Sequence, residues 1–323
     1  MKRFTAWLIV LVALSANAQQ AAPSAQDTSQ HTVQFVTVDK EVKLEVLDWG
    51  GTGRPLVFLA GMGNTAHNFD AFAPKFTAHY HVYGITRRGY GASSKPAPSD
   101  GNYSAGRLGD DVLAVIDALK LDRPVLIGHS FAGEELSSVG SRHPEKVAGL
   151  IYLEAAYGFA FYDSAHPDLE IEMNEIKKRI DQIEAGGVDE KKLLLELETS
   201  VSDFEKTLHD SNVNIASMPS IPPRPPIQAA LNFGVQKYTQ IPVPVLAIYA
   251  CPHNWDLAFR NDPAMKAERM AADRVSCNAQ ADAFAAGVPT ARVVRIPNAD
   301  HYVFNSNEAD VIREMNSFLA KLP

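Results

Sequence analysis

Val125-Leu126-Ile127-Gly128-His129-Ser130-Phe131-Ala132-Gly133 is the stretch on which the reading of this chain turns. An apolar strand run ends at Gly128, and a helical pattern begins directly after it. Small residues at 128, 132 and 133 permit a sharp strand-to-helix turn that lifts the Ser130 hydroxyl out of a sheet, with the helix N-terminus behind it.

Outward from this turn, segments of strand length recur at 31–38, 42–49, 55–60, 81–85, 124–128, 149–154, 243–250 and 291–296. The first two alternate and meet at Asp39-Lys40, as in a hairpin. Later ones are continuous apolar runs such as Val245-Leu246-Ala247-Ile248, the pattern of strands buried on both faces of a parallel sheet. Helical patterns at 106–119, 132–143, 264–286 and 308–319 fall between them, so strand and helix alternate. The stretch 156–240 breaks this rhythm. Leu169, Met173, Ile176, Ile180 and Ile183, then Leu194, Leu197, Val201, Phe204 and Leu208 after Gly186-Gly187, mark two amphipathic helices in a hairpin. A Pro-rich return, 219–226, follows. The insertion reads as a helical cap over the sheet's C-terminal edge, with a separate partner-binding hairpin as the alternative.

Ser130 stands in Gly128-His129-Ser130-Phe131-Ala132-Gly133, which resembles the nucleophile elbow of the α/β-hydrolase superfamily, except that Ala132 occupies its last glycine position. Leu59-Ala60-Gly61-Met62-Gly63-Asn64 is similar to the family's His-Gly oxyanion loop, with Ala60 in place of His. Arg87-Arg88-Gly89-Tyr90-Gly91-Ala92-Ser93 is similar to the family's Asp-x-Arg-Gly-x-Gly-x-Ser segment, with Thr86 where Asp is common. That segment reads as structural. The resemblance covers about 31–155 and 240–320. It implies a mostly parallel eight-stranded α/β-hydrolase sheet with helices on both faces and a helical cap insertion. The corresponding organisation is core at 31–155, cap at 156–240 and core again at 241–323.

A serine hydroxyl needs a base to be a nucleophile at neutral pH. Of ten histidines, His301 follows the last strand in Pro297-Asn298-Ala299-Asp300-His301-Tyr302, where this family places its base. The resemblance assigns the oxyanion donors to the backbone N–H groups of Met62 and Phe131. For the orienting acid two positions stay open. One is Asp256, in the Cys251-Pro252-His253-Asn254-Trp255-Asp256 loop after the seventh strand. The other is Glu154, after the sixth strand, a position from which some haloalkane dehalogenases take their acid; it is the favoured choice. Tyr157, Phe159, Phe161 and Tyr162 are candidates to line an apolar acyl pocket, core packing being the alternative for each.

At the N-terminus, Lys2-Arg3, an apolar run over 6–14 and Ala16-Asn17-Ala18 form the pattern of a bacterial secretory signal peptide, 1–18, followed by a flexible leader, 19–30. The run is about half the roughly 20 residues a membrane span needs. Cleavage would leave 305 residues and move the net charge from −8 to −10, since two of the 30 basic residues are lost. An acidic chain of this kind is not expected to bind nucleic acid or anionic lipid through its general field. Cys251 and Cys277 are too few for a four-thiolate zinc site. An oxidising compartment permits one disulfide between them, two separate thiols being the alternative.

The expectation is therefore a periplasmic or secreted serine hydrolase that cleaves a small-molecule ester and needs no metal or organic cofactor. Amide, lactone or carbon–carbon bond hydrolysis would use the same groups. A non-catalytic periplasmic binding protein is the alternative of another class. Haloalkane dehalogenase and epoxide hydrolase activities are disfavoured, because those relatives use an Asp nucleophile.

Overall fold

Eight strands form one sheet in the order β1-β2-β4-β3-β5-β6-β7-β8 in the computed structural model, which describes residues 30–163, 167–187, 189–210 and 223–323. The expected signal segment, all but the last residue of the leader and most of the Pro-rich return lie outside the described residues. The strands are β1 (Thr32–Asp39), β2 (Val42–Gly50), β3 (Pro55–Leu59), β4 (His81–Ile85), β5 (Val125–His129), β6 (Gly149–Leu153), β7 (Val245–Ala250) and β8 (Ala291–Ile296). β1 and β2 form the expected hairpin, and β2 joins β4 antiparallel. From β4 onward every pairing is parallel.

The helices are α1 (Ala105–Ala118), α2 (Gly133–Arg142), α3 (Leu169–Ala185), α4 (Glu190–Asp210), α5 (Pro226–Asn232), α6 (Pro263–Gly287) and α7 (Glu308–Leu319), with short helical turns between. Because side chains alternate along a strand, each continuous apolar run feeds two cores. Val57 and Leu59 of β3, with Leu126 of β5 and Tyr249 of β7, face a core shared with Val112 and Ile116 of α1, Leu136 of α2 and Phe284 of α6. Leu56 and Phe58, with Ile127 and Ile248, face the other, where Phe69, Phe72, Phe76 and Phe304 cluster beside Val311 and Met315 of α7. Both faces of the sheet are thus covered, which explains why β3 and β5–β7 carry so few polar residues.

Pro167–Pro225 forms a compact unit distinct from the α/β unit of Ser29–His166 and Pro226–Pro323. The flanks of the expected 156–240 insertion belong to the α/β unit. Within the smaller unit α3 and α4 pack as a hairpin. Asp168 caps α3 by accepting from the Glu170 and Ile171 N–H groups, and Gly186 and Gly187, at φ 68° and 75°, make the left-handed turn out of it. Arg179 pairs with Glu196 across the hairpin at 3.0 Å, and Arg224 with Glu170 at 2.9 Å. The anticipated apolar stripes are only partly covered. Of their members Met173, Ile180, Leu194 and Val201 are exposed, whereas the buried Ile171 and Leu193 lie outside the anticipated positions.

Candidate active site

Ser130 directly follows β5 in a left-handed backbone conformation, φ 53°, unusual for a residue with a Cβ and the mark of a strained elbow. The chain enters a 3-10 turn, Ser130–Ala132, and continues into α2. The turn is crowded from two sides. A Cβ on Gly133 would lie 2.0 Å from the Ala155 carbonyl oxygen, so the close approach of the next strand's loop falls on Gly133, while Ala132 fits fully buried in front of it. A Cβ on Gly61 would meet the Ser130 Cβ at 3.0 Å, so the Gly61 loop lies directly against the serine.

The Ser130 Oγ lies 2.9 Å from His301 Nε2, and His301 Nδ1 lies 3.3 Å from Glu154 Oε2. These contacts assign one tautomer to His301, with Nδ1–H donating to the carboxylate and Nε2 accepting from the serine. His129 steadies the same imidazole from behind: its Nε2–H donates to the His301 carbonyl at 3.0 Å, and its ring packs against Tyr302 and Phe304. Burial, with the nearby His301, lowers the His129 pKa to about 3, so it works as a neutral donor.

Glu154 is wholly buried and, like Ser130, sits at a left-handed elbow, φ 50°. Its Oε1 accepts from the Ala250 N–H at 2.6 Å, and its Oε2 accepts from Tyr157 Oη at 2.5 Å and from His253 Nε2 at 2.9 Å besides His301. Burial opposes ionisation, but the hydrogen bonds from His253 and His301 prevail and hold the carboxyl well below the ordinary carboxylate range.

Asp256 is not brought to His301. It is exposed and pairs with Lys266, and its N–H is taken by the Asn254 side chain at 2.9 Å. The loop after β7 instead turns His253 inward. His253 Nδ1 faces Asp273 Oδ1 at 3.0 Å, and its backbone N–H donates to Asp273 Oδ2 at 2.6 Å. Burial disfavours the imidazolium, yet Asp273 and Glu154 raise its pKa from 6.5 to about 10. Cys251 and Cys277 form a disulfide with Cα atoms 5.6 Å apart. The loops after β7 and β8 are fastened together by the Asn298 N–H on the Pro252 carbonyl, 2.8 Å, and the Asn254 N–H on the Ala299 carbonyl, 2.9 Å. Sequence reasoning missed His253 and Asp273. The cysteine pairing was the available signal, since it brings residue 253 beside residue 273.

The Met62 and Phe131 N–H groups find no partner among the described residues, in keeping with donors kept for a ligand. Arg87, read from sequence as structural, holds this loop: it forks onto Glu135 with two bonds of 2.6 Å and donates to the Ala60 carbonyl at 2.8 Å, all buried. Arg88 forks onto Asp111 in the same way, at 2.6 and 2.5 Å.

The four aromatic candidates separate. Phe159 lies against Phe131, ring centres 5.8 Å apart, beside the nucleophile. Tyr157 is committed to Glu154, and its pKa is pushed well up by burial and by that carboxylate. Phe161 is core rather than pocket lining: it is 8% exposed, packs on Phe284 of α6 at 5.9 Å and fills the space that a Cβ on Gly287 would need. Tyr162 carries the Lys237 ammonium 3.7 Å from its ring centre.

Two trios of metal-ligating side chains come together among the described residues, His31, His67 and Asp70, and Glu154, His253 and His301. Hydrogen bonds engage Asp70 and His67 of the first trio, with His31 Nδ1 3.6 Å from Asp70 Oδ1, and all three members of the second. Asp70 accepts from Trp49 Nε1 at 3.1 Å and faces His67 Nδ1 at 2.9 Å, and in the second trio the ring nitrogens face Ser130, Glu154 and Asp273. No helix of the described residues is long and apolar enough to cross a membrane.

Residues 56–314 match the model of the alpha/beta hydrolase family. The chain belongs to that family. Among curated proteins this α/β hydrolase is similar to fluoroacetate dehalogenase of Burkholderia sp, 31% identical over 116 residues, 35% of this chain and 38% of that protein. It is also similar to 2-hydroxymuconate semialdehyde hydrolase of Pseudomonas sp. (strain CF600), 32% identical over 109 residues, 33% of this chain and 38% of the relative. Such matches span about two fifths or less of the relatives' own length. Among solved structures, a thermophilic esterase from Thermogutta terrifontis superposes with a TM-score of 0.57 at 19% identity, covering 90% of this chain and 98% of that one, a likeness of fold.

Proposed function

We propose that the protein is a secreted or periplasmic serine hydrolase that cleaves a carboxylic ester through an acyl-enzyme. The observation that carries this reading is the 2.9 Å contact of Ser130 Oγ with His301 Nε2, with Nδ1 of the same ring turned to the buried Glu154. The Ser130 oxygen attacks the ester carbonyl while its proton passes to His301 Nε2, and the Met62 and Phe131 N–H groups receive the developing oxyanion, each such donor contributing roughly 2.7–4 kcal/mol. His301 returns the proton to the departing alcohol. Water then attacks the acyl carbonyl, gives a proton to His301 and releases the carboxylic acid, and the proton goes back to Ser130.

The nucleophile argues against the displacement chemistry named for some relatives. Attack by a serine oxygen on the sp3 carbon of an alkyl halide or epoxide would leave an ether, with no carbonyl for water to open. An acyl-enzyme has one. Export is supported by the N-terminal signal pattern and by the Cys251–Cys277 disulfide, which suits an oxidising compartment.

The test is a fluorophosphonate probe with intact-mass readout, run beside hydrolysis of a short p-nitrophenyl ester. Labelling and turnover that both vanish in Ser130→Ala are expected. A wild-type chain that neither labels nor turns over would refute the reading.

A further inference from the structure

We propose that His253 and Asp273 are positioning residues that extend the Ser130–His301–Glu154 chain by two members, with the Cys251–Cys277 disulfide fastening the added pair to the sheet. This rests on the hydrolase reading above.

The geometry of His253 is the starting point. Nε2 meets Glu154 Oε2 at 2.9 Å, and Nδ1 meets both Asp273 oxygens, at 3.0 and 3.2 Å. A carboxylate only accepts, so both ring nitrogens must carry hydrogen and the ring is an imidazolium. Its raised pKa agrees. The three buried groups then sum to a single negative charge, the charge a lone orienting carboxylate would have. A second carboxylate at position 253 would repel Glu154; an imidazolium there pairs with it and aims it.

Aim is what the site lacks otherwise. Glu154 Oε2 has to face His301 Nδ1 across 3.3 Å from a side chain with three torsions. Tyr157 and His253 grip that same oxygen, and the Ala250 N–H grips the other. His253 is itself held at ring and backbone by Asp273. The groups around this imidazolium are Glu154 and Tyr157 after β6, Asp273 on α6, and His301 after β8. Trp255 lies on the same loop, its ring centre 6.1 Å away and covered by Arg269 of α6.

Asp273 and Cys277 are one turn apart on α6, and Cys251 stands two residues before His253. The covalent link therefore joins the same two segments that the His253–Asp273 contact joins, so it holds the pair in register.

The experiment measures kcat, KM and their pH dependence on a p-nitrophenyl ester for wild type, His253→Gln, Asp273→Asn and the Cys251→Ser/Cys277→Ser double variant, with fluorophosphonate labelling as the control for a folded, activated serine. In His253→Gln, kcat is expected to fall about 10- to 100-fold with KM within about threefold, and the acid limb of kcat/KM to move up by about one pH unit or more, because Glu154 loses its cation. Asp273→Asn should lose activity at a lower alkaline pH than wild type, because His253 then deprotonates earlier. The double variant should lose part of kcat with the same insensitivity of KM. Labelled variants with wild-type kcat and unmoved pH limbs would overturn the proposal and leave the hydrolase reading standing. If His253→Gln fails to fold, the pH limb of Asp273→Asn decides alone. A wild type that neither labels nor turns over overturns both.

Discussion

The ends of β5 and β8 differ from the ends of β6 and β7 in how they deliver chemistry. At the first pair each strand end supplies one reacting group, with Ser130 lifted by its elbow and His301 presented by a short turn. At the second pair, Glu154, Tyr157, His253, Asp273 and a disulfide share what a single aspartate could do after β7. The difference lies in burial. Ser130 and His301 are partly open to solvent, so local backbone shape suffices to place them. Glu154 is sealed, and a sealed carboxylate needs donors from several distant segments before it is stable as an anion.

The contrast is broken most severely at the first pair. Ser130→Ala and His301→Ala should each lower kcat on an ester by on the order of 10⁴-fold or more, with the double variant scarcely worse, because the two act as a unit. Additive losses in the same assay would separate them. Away from the reacting atoms the effects pass to stability. Arg87→Ala strands the buried Glu135 and should cost about 3–5 kcal/mol in denaturant unfolding, with kcat reduced through the loosened Ala60–Met62 loop. A change below about 1 kcal/mol would show that this ion pair holds nothing.

Phe161→Ala should cost about 3–5 kcal/mol, as emptying a core aromatic site does, with the preference among acyl chain lengths unmoved. Phe159→Ala is expected to shift that preference with little loss of stability. Chain-length profiles and unfolding curves for the two variants measure this, and interchanged results would reverse the assignment of the two rings.

Most of the sheet was legible because its runs are long and apolar; the predicted strands and helices of the α/β unit fall within one or two residues of those observed. The Ser130 turn and the His301 position were legible because small residues and their place after a strand carry the signal. His253 was not, since a lone histidine beside a proline says nothing by itself and its one signal, the pairing of Cys251 with Cys277, stayed open in the sequence. Asp256 drew attention only as the first carboxylate in its loop, and the pull of Lys266 is invisible in sequence. Phe161 looked like Phe159 because alternation within a loop does not reveal which ring meets α6.

Stability against pH sharpens the comparison at smaller scale. The folded pKa of His253 lies above its unfolded value, so its contribution is complete below about pH 6.5 and is lost as pH rises toward 10. His129 is the reverse: buried neutral, with its pKa lowered to about 3, it loses stability as pH falls below 6.5. Depressed Glu154 adds to the loss below about pH 4.5. Unfolding free energy should therefore peak near pH 6.5 and fall on either side, with a slope of up to about 1.4 kcal/mol per pH unit for each group. His253→Gln should flatten the alkaline side and, because Glu154 then loses a donor and its cation, also lessen the loss that Glu154 adds below about pH 4.5. An alkaline limb unchanged in that variant would assign it elsewhere.

The division of labour between the two pairs of strand ends is tested most directly by kcat/KM on one ester for Glu154→Gln and Asp256→Asn measured side by side. Glu154→Gln is expected to fall by roughly 10²- to 10⁴-fold, and Asp256→Asn to stay within about twofold of wild type. A larger loss at Asp256 than at Glu154 would contradict the account and return the orienting acid to the loop after β7.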